Sequence, residues 1–344
     1  MSARSWIGVA LFFLTCNAAT ATVTCAADQA LIDAARKEGK LTWYTTLIVN
    51  QMARPAADAF QKKYGIAVNF VRADTGAILT RLQNEAAAGG IQADVIDTTS
   101  GTPALKRMGI LEKWQPDSAK GLPAEFIDPE GYWTAASLYV LTLGYNTDLV
   151  PKGTEPKSLK DLLDPKWKGK MALSGSSSSP GVGGFVGLVL GSMGEPAGLD
   201  YLKALAGQQP TIIQVSTRQI LDQVIAGEYA IGLQILNHHV TYSANRGAPA
   251  DWVKIDPAMA AMLVVGVLKG PNRNAAKLLA DFLLSDEGQR IFRDADYIPV
   301  APNVPPKDPA TRPDGKTFRA LYYTPEQIDD NMKQWMGIYR DILR

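Results

Sequence analysis

The chain reads as an α/β protein of two lobes, each a mostly parallel sheet flanked by helices, with the second lobe inserted into the first. Three observations predict this. Strand-like and helix-like segments alternate through the N-terminal third, and alternate again after a turn-rich break at 146–156. Each β-α-β succession needs a crossover connection, and crossovers make parallel sheets. The 344 residues, 46% of them hydrophobic, are enough for two packed lobes.

The elements follow in order. Residues 27–38 carry apolar side chains at helical spacing (Leu31, Ile32, Ala35) and stop at Gly39. A strand is expected over 40–44, a helix over 55–64 ending at Gly65, and an alternating strand over 66–71. A helix over 78–88 ends at Gly89-Gly90, and a short strand covers 93–97. A longer strand is expected over 138–145. Beyond the break come a strand at 170–173, a Ser/Gly loop at 175–184, and helices at 185–193 and 197–206. A strand at 211–215, a helix at 217–226 and a strand at 229–234 follow, then a strand at 262–268. Helices over 275–285 and 286–294, a proline-rich loop at 299–313 and an amphipathic helix from Thr324 close the chain. The expected division is 1–26 as a leader, 27–139 with 260–344 as lobe 1, and 140–259 as lobe 2.

The leader has the three-part layout of a secretory signal peptide: Arg4, a short apolar run at 6–14, and small residues over 19–27. The run is far below the roughly 20 residues of a spanning helix. Cleavage after Ala26 or Ala27 removes both cysteines, Cys16 and Cys25, and cleavage after Ala21 leaves Cys25. Each cysteine follows a threonine, which argues against lipid attachment. The expected product is exported, monomeric and free of disulfides. The uncharged stretch at 171–194 holds Pro180 and many glycines, which makes it a poor membrane span. Net charge is +1, and loss of Arg4 brings it to zero. That balance speaks against nucleic-acid binding and against docking on anionic lipid.

Catalytic signatures are incomplete. Gly175-Ser176-Ser177-Ser178-Ser179 lacks the last glycine of a nucleophile elbow. Gly181-Val182-Gly183-Gly184-Phe185-Val186 lacks the last glycine of a dinucleotide fingerprint, and no H-E-x-x-H occurs. Nothing singles out a carboxylate pair for glycoside hydrolysis. An exported hydrolase is therefore the weakest of the three functional readings.

Three segments carry a family resemblance: 40–46 (Lys-Leu-Thr-Trp-Tyr-Thr-Thr), 162–173 (Leu-Leu-Asp-Pro-Lys-Trp-Lys-Gly-Lys-Met-Ala-Leu), and 275–289 followed by Ile298-Pro299-Val300. Together they resemble the extracellular solute-binding proteins of ABC importers, closest to the branch for ferric iron and small anions. The resemblance implies a type II periplasmic binding fold. It further implies a periplasmic location, a ligand held between hinged lobes, and delivery to permease subunits. No cofactor is expected.

Ligands of open α/β sheets sit beyond the carboxyl ends of strands, where helix N-termini present free N–H groups. That rule selects Thr45 and Thr46 after the first strand, Arg72 and Thr75 after the second, and Ser100 and Gly101 after the third. In the second lobe it selects Ser176 and Ser177, then Arg218 beside Thr217, an expected N-cap. Asn237 and His238 follow the strand at 229–234, and Tyr139 flanks the first crossover. Arginine forks and hydroxyl donors suit a phosphorylated or carboxylated solute. In the iron-binding members the region near 238 carries adjacent tyrosines. Here it reads His238-His239 with Tyr242 beyond, so a ferric-iron site built from Tyr242, His238 and His239 is the alternative. In an extended segment those two histidines would face opposite ways.

Overall fold

The computed structural model describes residues 28–175 and 181–343. The leader, both cysteines, Ser176 and Ser177 lie outside the described residues. The first part runs α1 (Gln29–Glu38), β1 (Lys40–Thr45), α2 (Arg54–Tyr64), β2 (Ala67–Arg72), α3 (Thr75–Ala87), β3 (Val95–Thr98) and α4 (Thr102–Arg107). A 13-residue strand, β4 (Thr134–Asn146), leads into β5 (Met171–Ser174), α5 (Gly181–Met193), α6 (Glu195–Ala206) and β6 (Thr211–Ile213). Then come α7 (Thr217–Ile225), β7 (Ile231–Leu236), α8 (Asn237–Ala244) and β8 (Ala250–Val253). The chain returns along β9 (Ala258–Val267) to α9 (Arg273–Leu284), α10 (Asp286–Asp294), β10 (Ile298–Pro299), β11 (Ala320–Tyr323) and α11 (Pro325–Ile342).

The sheet is continuous, in the order β2-β1-β3-β9-β4-β7-β5-β6. Two parallel trios, β2-β1-β3 and β7-β5-β6, flank the antiparallel pair β9 and β4. Val140 on β4 pairs with Ala260 on β9. Every residue of these two strands is buried, because elements cover both faces.

Local chemistry explains the boundaries. Gly39 and Gly65 close α1 and α2 in the left-handed region, at φ 71° and 74°, where a side chain is strained. Ser216, rather than Thr217, caps α7, forming a capping box with Gln219. Within the uncharged stretch at 171–194, residues 171–174 form β5 and 181–193 the largely buried helix α5. No helix among the described residues is long and apolar enough to cross a membrane. α11 touches both parts. Trp335 packs where a Cβ on Gly187 of α5 would come within 2.7 Å. At the other end, Asp329 pairs with Arg107 at 2.7 Å and Glu326 with Lys106 at 3.0 Å.

One expectation of shape changes. Residues 237–239 are the first turn of helix α8, not an extended segment. Helical geometry separates the two histidines by about 100° around the axis rather than 180°. Both are buried, but only His239 lines the cleft at the sheet ends.

Candidate functional site

A cleft of about 570 Å³ opens at the carboxyl ends of the strands, between the two parallel trios. The first part lines it with Thr46 and Ile48 after β1, Arg72 at the end of β2, Asp74 and Thr75 at α3, and Thr99 after β3. The second part contributes the turn from Gln214 to Gln219 at the start of α7, together with Leu236 and His239. Tyr139 from β4 and Tyr297 complete the lining.

Several of its charged and hydroxyl groups are held by identifiable partners. Thr46 donates its N–H and its O–H to Asp97 Oδ1, at 2.8 and 2.6 Å. Asp97 is fully buried, and burial raises its pKa despite those bonds. Arg72 Nη2 lies 3.3 Å from Asp74 Oδ1, both side chains substantially exposed. Arg218 bonds Asp222 at 2.7 Å and Ser243 Oγ at 3.1 Å. Thr75 Oγ1 lies 3.2 Å from Thr98 Oγ1. The floor is aromatic: the His238 ring lies 5.3 Å from Tyr139 and 4.8 Å from Tyr297. Burial pushes both phenols above their ordinary pKa. Burial lowers His239 to about 3, with the nearby Arg218 charge adding to the effect, so its imidazole is neutral.

Of the residues selected from sequence, Thr46, Arg72, Thr75, Tyr139 and Arg218 share this cleft, and His239 with them. Others stand elsewhere. Thr45 is fully buried, and its hydroxyl accepts the Leu47 N–H at 3.1 Å. Ser100 and Gly101 turn their N–H groups to Thr98 Oγ1, at 3.4 and 3.0 Å, and do not line the cleft. Asn237 is fully buried, with Nδ2 donating to the Thr311 carbonyl at 2.8 Å. His238 is fully buried in the aromatic floor. Tyr242 lies off the cleft lining under the Arg246 guanidinium, 3.5 Å from its ring centre. The trio Tyr242, His238 and His239 thus reaches the cleft only through His239, because the helix turns the others away. Among the described residues, no group of three or more His, Cys, Asp or Glu is placed to hold a metal ion. Tyr297, Gln214, Ile48 and Leu236 carry no local sign of their place in the cleft.

A family profile described as bacterial extracellular solute-binding protein matches residues 93–323. A putative 2-aminoethylphosphonate-binding periplasmic protein of Salmonella typhimurium is 28% identical over 264 residues, 73% of this chain and 74% of the relative. Iron uptake protein A1 of Synechocystis is 26% identical over 275 residues, 72% of each chain. The iron-bound HitA structure from Pseudomonas aeruginosa superposes with a TM-score of 0.74 at 24% identity, covering 88% of this chain and 99% of that one. That likeness shows a shared two-lobe fold. The chain belongs to the bacterial extracellular solute-binding protein family, and its role is to bind a solute.

Proposed function

We propose that this solute-binding protein captures a small phosphorylated or carboxylated anion between its lobes. We further propose that it works in the periplasm, after loss of its leader, and hands the solute to ABC permease subunits without chemical change. The observation that carries the reading is the meeting of Arg72 and Arg218, one from each part, on a single cleft. Their forks match oxyanions. The first turn of α7 adds N–H groups and a positive dipole end beside Arg218. His239 and the two phenols contribute no charge against this. The β4–β9 pair, crossing at Val140 and Ala260, supports a hinge there, with 27–139 plus 260–344 and 140–259 as the bodies that approach each other. A solute bridging both bodies favours the closed state by its extra affinity for that state. The phosphonate named for the Salmonella relative fits this chemistry.

Ferric iron with a bound anion is the second reading. Iron-uptake relatives and the two cleft phenols, Tyr139 and Tyr297, favour it. Thermal shift and calorimetry with phosphonates, sugar phosphates, dicarboxylates and ferric citrate separate the two. The anion reading expects colourless complexes whose affinity falls about 10- to 100-fold in Arg72→Ala and in Arg218→Ala, the loss of charge-assisted hydrogen bonds. A visible phenolate-to-iron band that vanishes in Tyr297→Phe, with no anion binding alone, overturns it.

A further inference from the structure

We propose that the cleft selects anions that also carry a hydrogen-bond donor, an ammonium or hydroxyl group, and that Thr46 recognises that donor. This rests on the anion reading above and narrows its substrate class. Hydrogen-bond polarity carries it. Thr46 lines the cleft, yet both of its donors are committed to Asp97 Oδ1, the N–H at 2.8 Å and the O–H at 2.6 Å. A hydroxyl has one proton and two lone pairs. With the proton spent on Asp97, Thr46 Oγ1 offers the cleft an acceptor. Oδ1 receives two donors from the same residue, so the direction of these bonds is set. Asp97 is fully buried on β3, the strand beside β1, which leaves it no freedom to turn away.

Asp74 is the second acceptor on this side. It lines the cleft, and its carboxylate caps no N–H of α3 but swings to Arg72. The facing wall supplies donors. There the Ser216 hydroxyl is engaged within its own capping box, while Arg218 and the opening N–H groups of α7 are donors. A bare oxyanion that spans the cleft sets lone pairs against lone pairs at Thr46. An aliphatic tail there strips water from the acceptor and leaves it unpaired, which costs as much as a lost hydrogen bond. A solute with its anion between Arg72 and Arg218 and a donor toward Thr46 satisfies both forks and the acceptor.

Matched probes of equal length test this by calorimetry: 2-aminoethylphosphonate, 2-hydroxyethylphosphonate and propylphosphonate, against the wild type, Thr46→Val and Thr46→Ser. The wild type should bind at least one donor-bearing phosphonate about tenfold or more tighter than propylphosphonate. Thr46→Val should collapse that ratio to within about threefold, and Thr46→Ser should keep it. Equal wild-type affinity for all three, or a ratio that survives Thr46→Val, overturns the inference while the anion reading stands. Failure of all three, of their carboxylate analogues (3-aminopropanoate, 3-hydroxypropanoate, butanoate) and of the sugar phosphates and dicarboxylates overturns the anion reading and this inference with it.

Discussion

Acid should destabilise this protein through its two histidines. His238 and His239 are the only histidines in the chain, adjacent in the first turn of α8 and both buried. Their ring centres lie 4.4 Å apart. Neither nitrogen of His238 has a partner, nor does Nδ1 of His239. Burial holds His239 at about 3, and holds His238 well below its ordinary value, with the neighbouring ring adding to the effect. In the unfolded chain each takes up a proton near about pH 6.5. The unfolded state therefore binds protons first as pH falls. Stability is full above about pH 6.5 and declines from there toward the folded-state value. One such group costs about 1.4 kcal/mol per pH unit, so His239 alone removes about 3 kcal/mol by about pH 4.5. His238 adds a loss of the same sign. Against a total of about 5–15 kcal/mol this is a large fraction. Asp97 and Asp281, whose pKa values burial raises, push the other way, so the histidine contribution is read as a difference between variants. Urea titrations followed by tryptophan fluorescence, run from about pH 8 to about pH 4.5, should show His239→Gln losing about 3 kcal/mol less than the wild type over that range. Parallel pH curves for the two proteins would refute the reasoning.

Three other perturbations test the packing of the fold. Lys106 meets Asp128 at 2.9 Å and Glu326 at 3.0 Å, and Asp128 is almost fully buried. Lys106→Met strands that carboxylate and should cost about 3 kcal/mol in urea denaturation, whereas a loss under about 1 kcal/mol would contradict the pairing. A Cβ on Gly187 would come within 2.7 Å of Trp335, so Gly187→Val should destabilise by about 1–3 kcal/mol, with an unchanged melting temperature counting against the contact. Gln289 is fully buried, donates to the Ala136 and Leu283 carbonyls at 2.9 Å, and accepts from the Val300 and Ala301 N–H groups. Gln289→Leu leaves four buried groups unpaired and should cost about 4 kcal/mol by the same titration.

Much of the opening βα succession is legible because its punctuation is local. Gly39 and Gly65 must take positive φ, and Pro55 sits in the first turn of α2, so chain order alone reveals those ends. The helix α8 has no such sign. Leu236 stands at its N-cap and supplies no side-chain bond, so nothing local marks a helix start, and the two histidines read as extended. Helix α4, six residues long, likewise starts without a capping bond. The cleft divides the same way. Arg72, Thr75 and Arg218 follow from the rule that strand ends meet ligands. Tyr297 lies about 150 residues from its neighbour Tyr139 and reaches it because β10 pairs with β4. That is long-range topology, which no local pattern encodes. Thr46 was legible as a cleft residue but not as an acceptor, since its polarity depends on Asp97, brought close by the parallel pairing of β1 with β3.

The aromatic floor has a consequence for how the cleft works. Tyr139 pairs with Ala261, one position from the Val140–Ala260 crossing, and Tyr297 is followed at once by β10, which pairs with the same strand. These rings are anchored at the crossing pair rather than at either flanking trio. Arg72 and Arg218 stand on opposite trios. A turn about the crossing pair therefore shortens the distance between the two guanidinium groups while the floor stays in place. Two cations approaching each other repel unless an anion lies between them. Asp74 and Asp222 already pair with these groups, at 3.3 and 2.7 Å, so the repulsion on closure is partly offset, and an oxyanion between the two forks adds attraction to both. On the proposed reading, the two residues that hold the anion thus favour the closed state when it is bound.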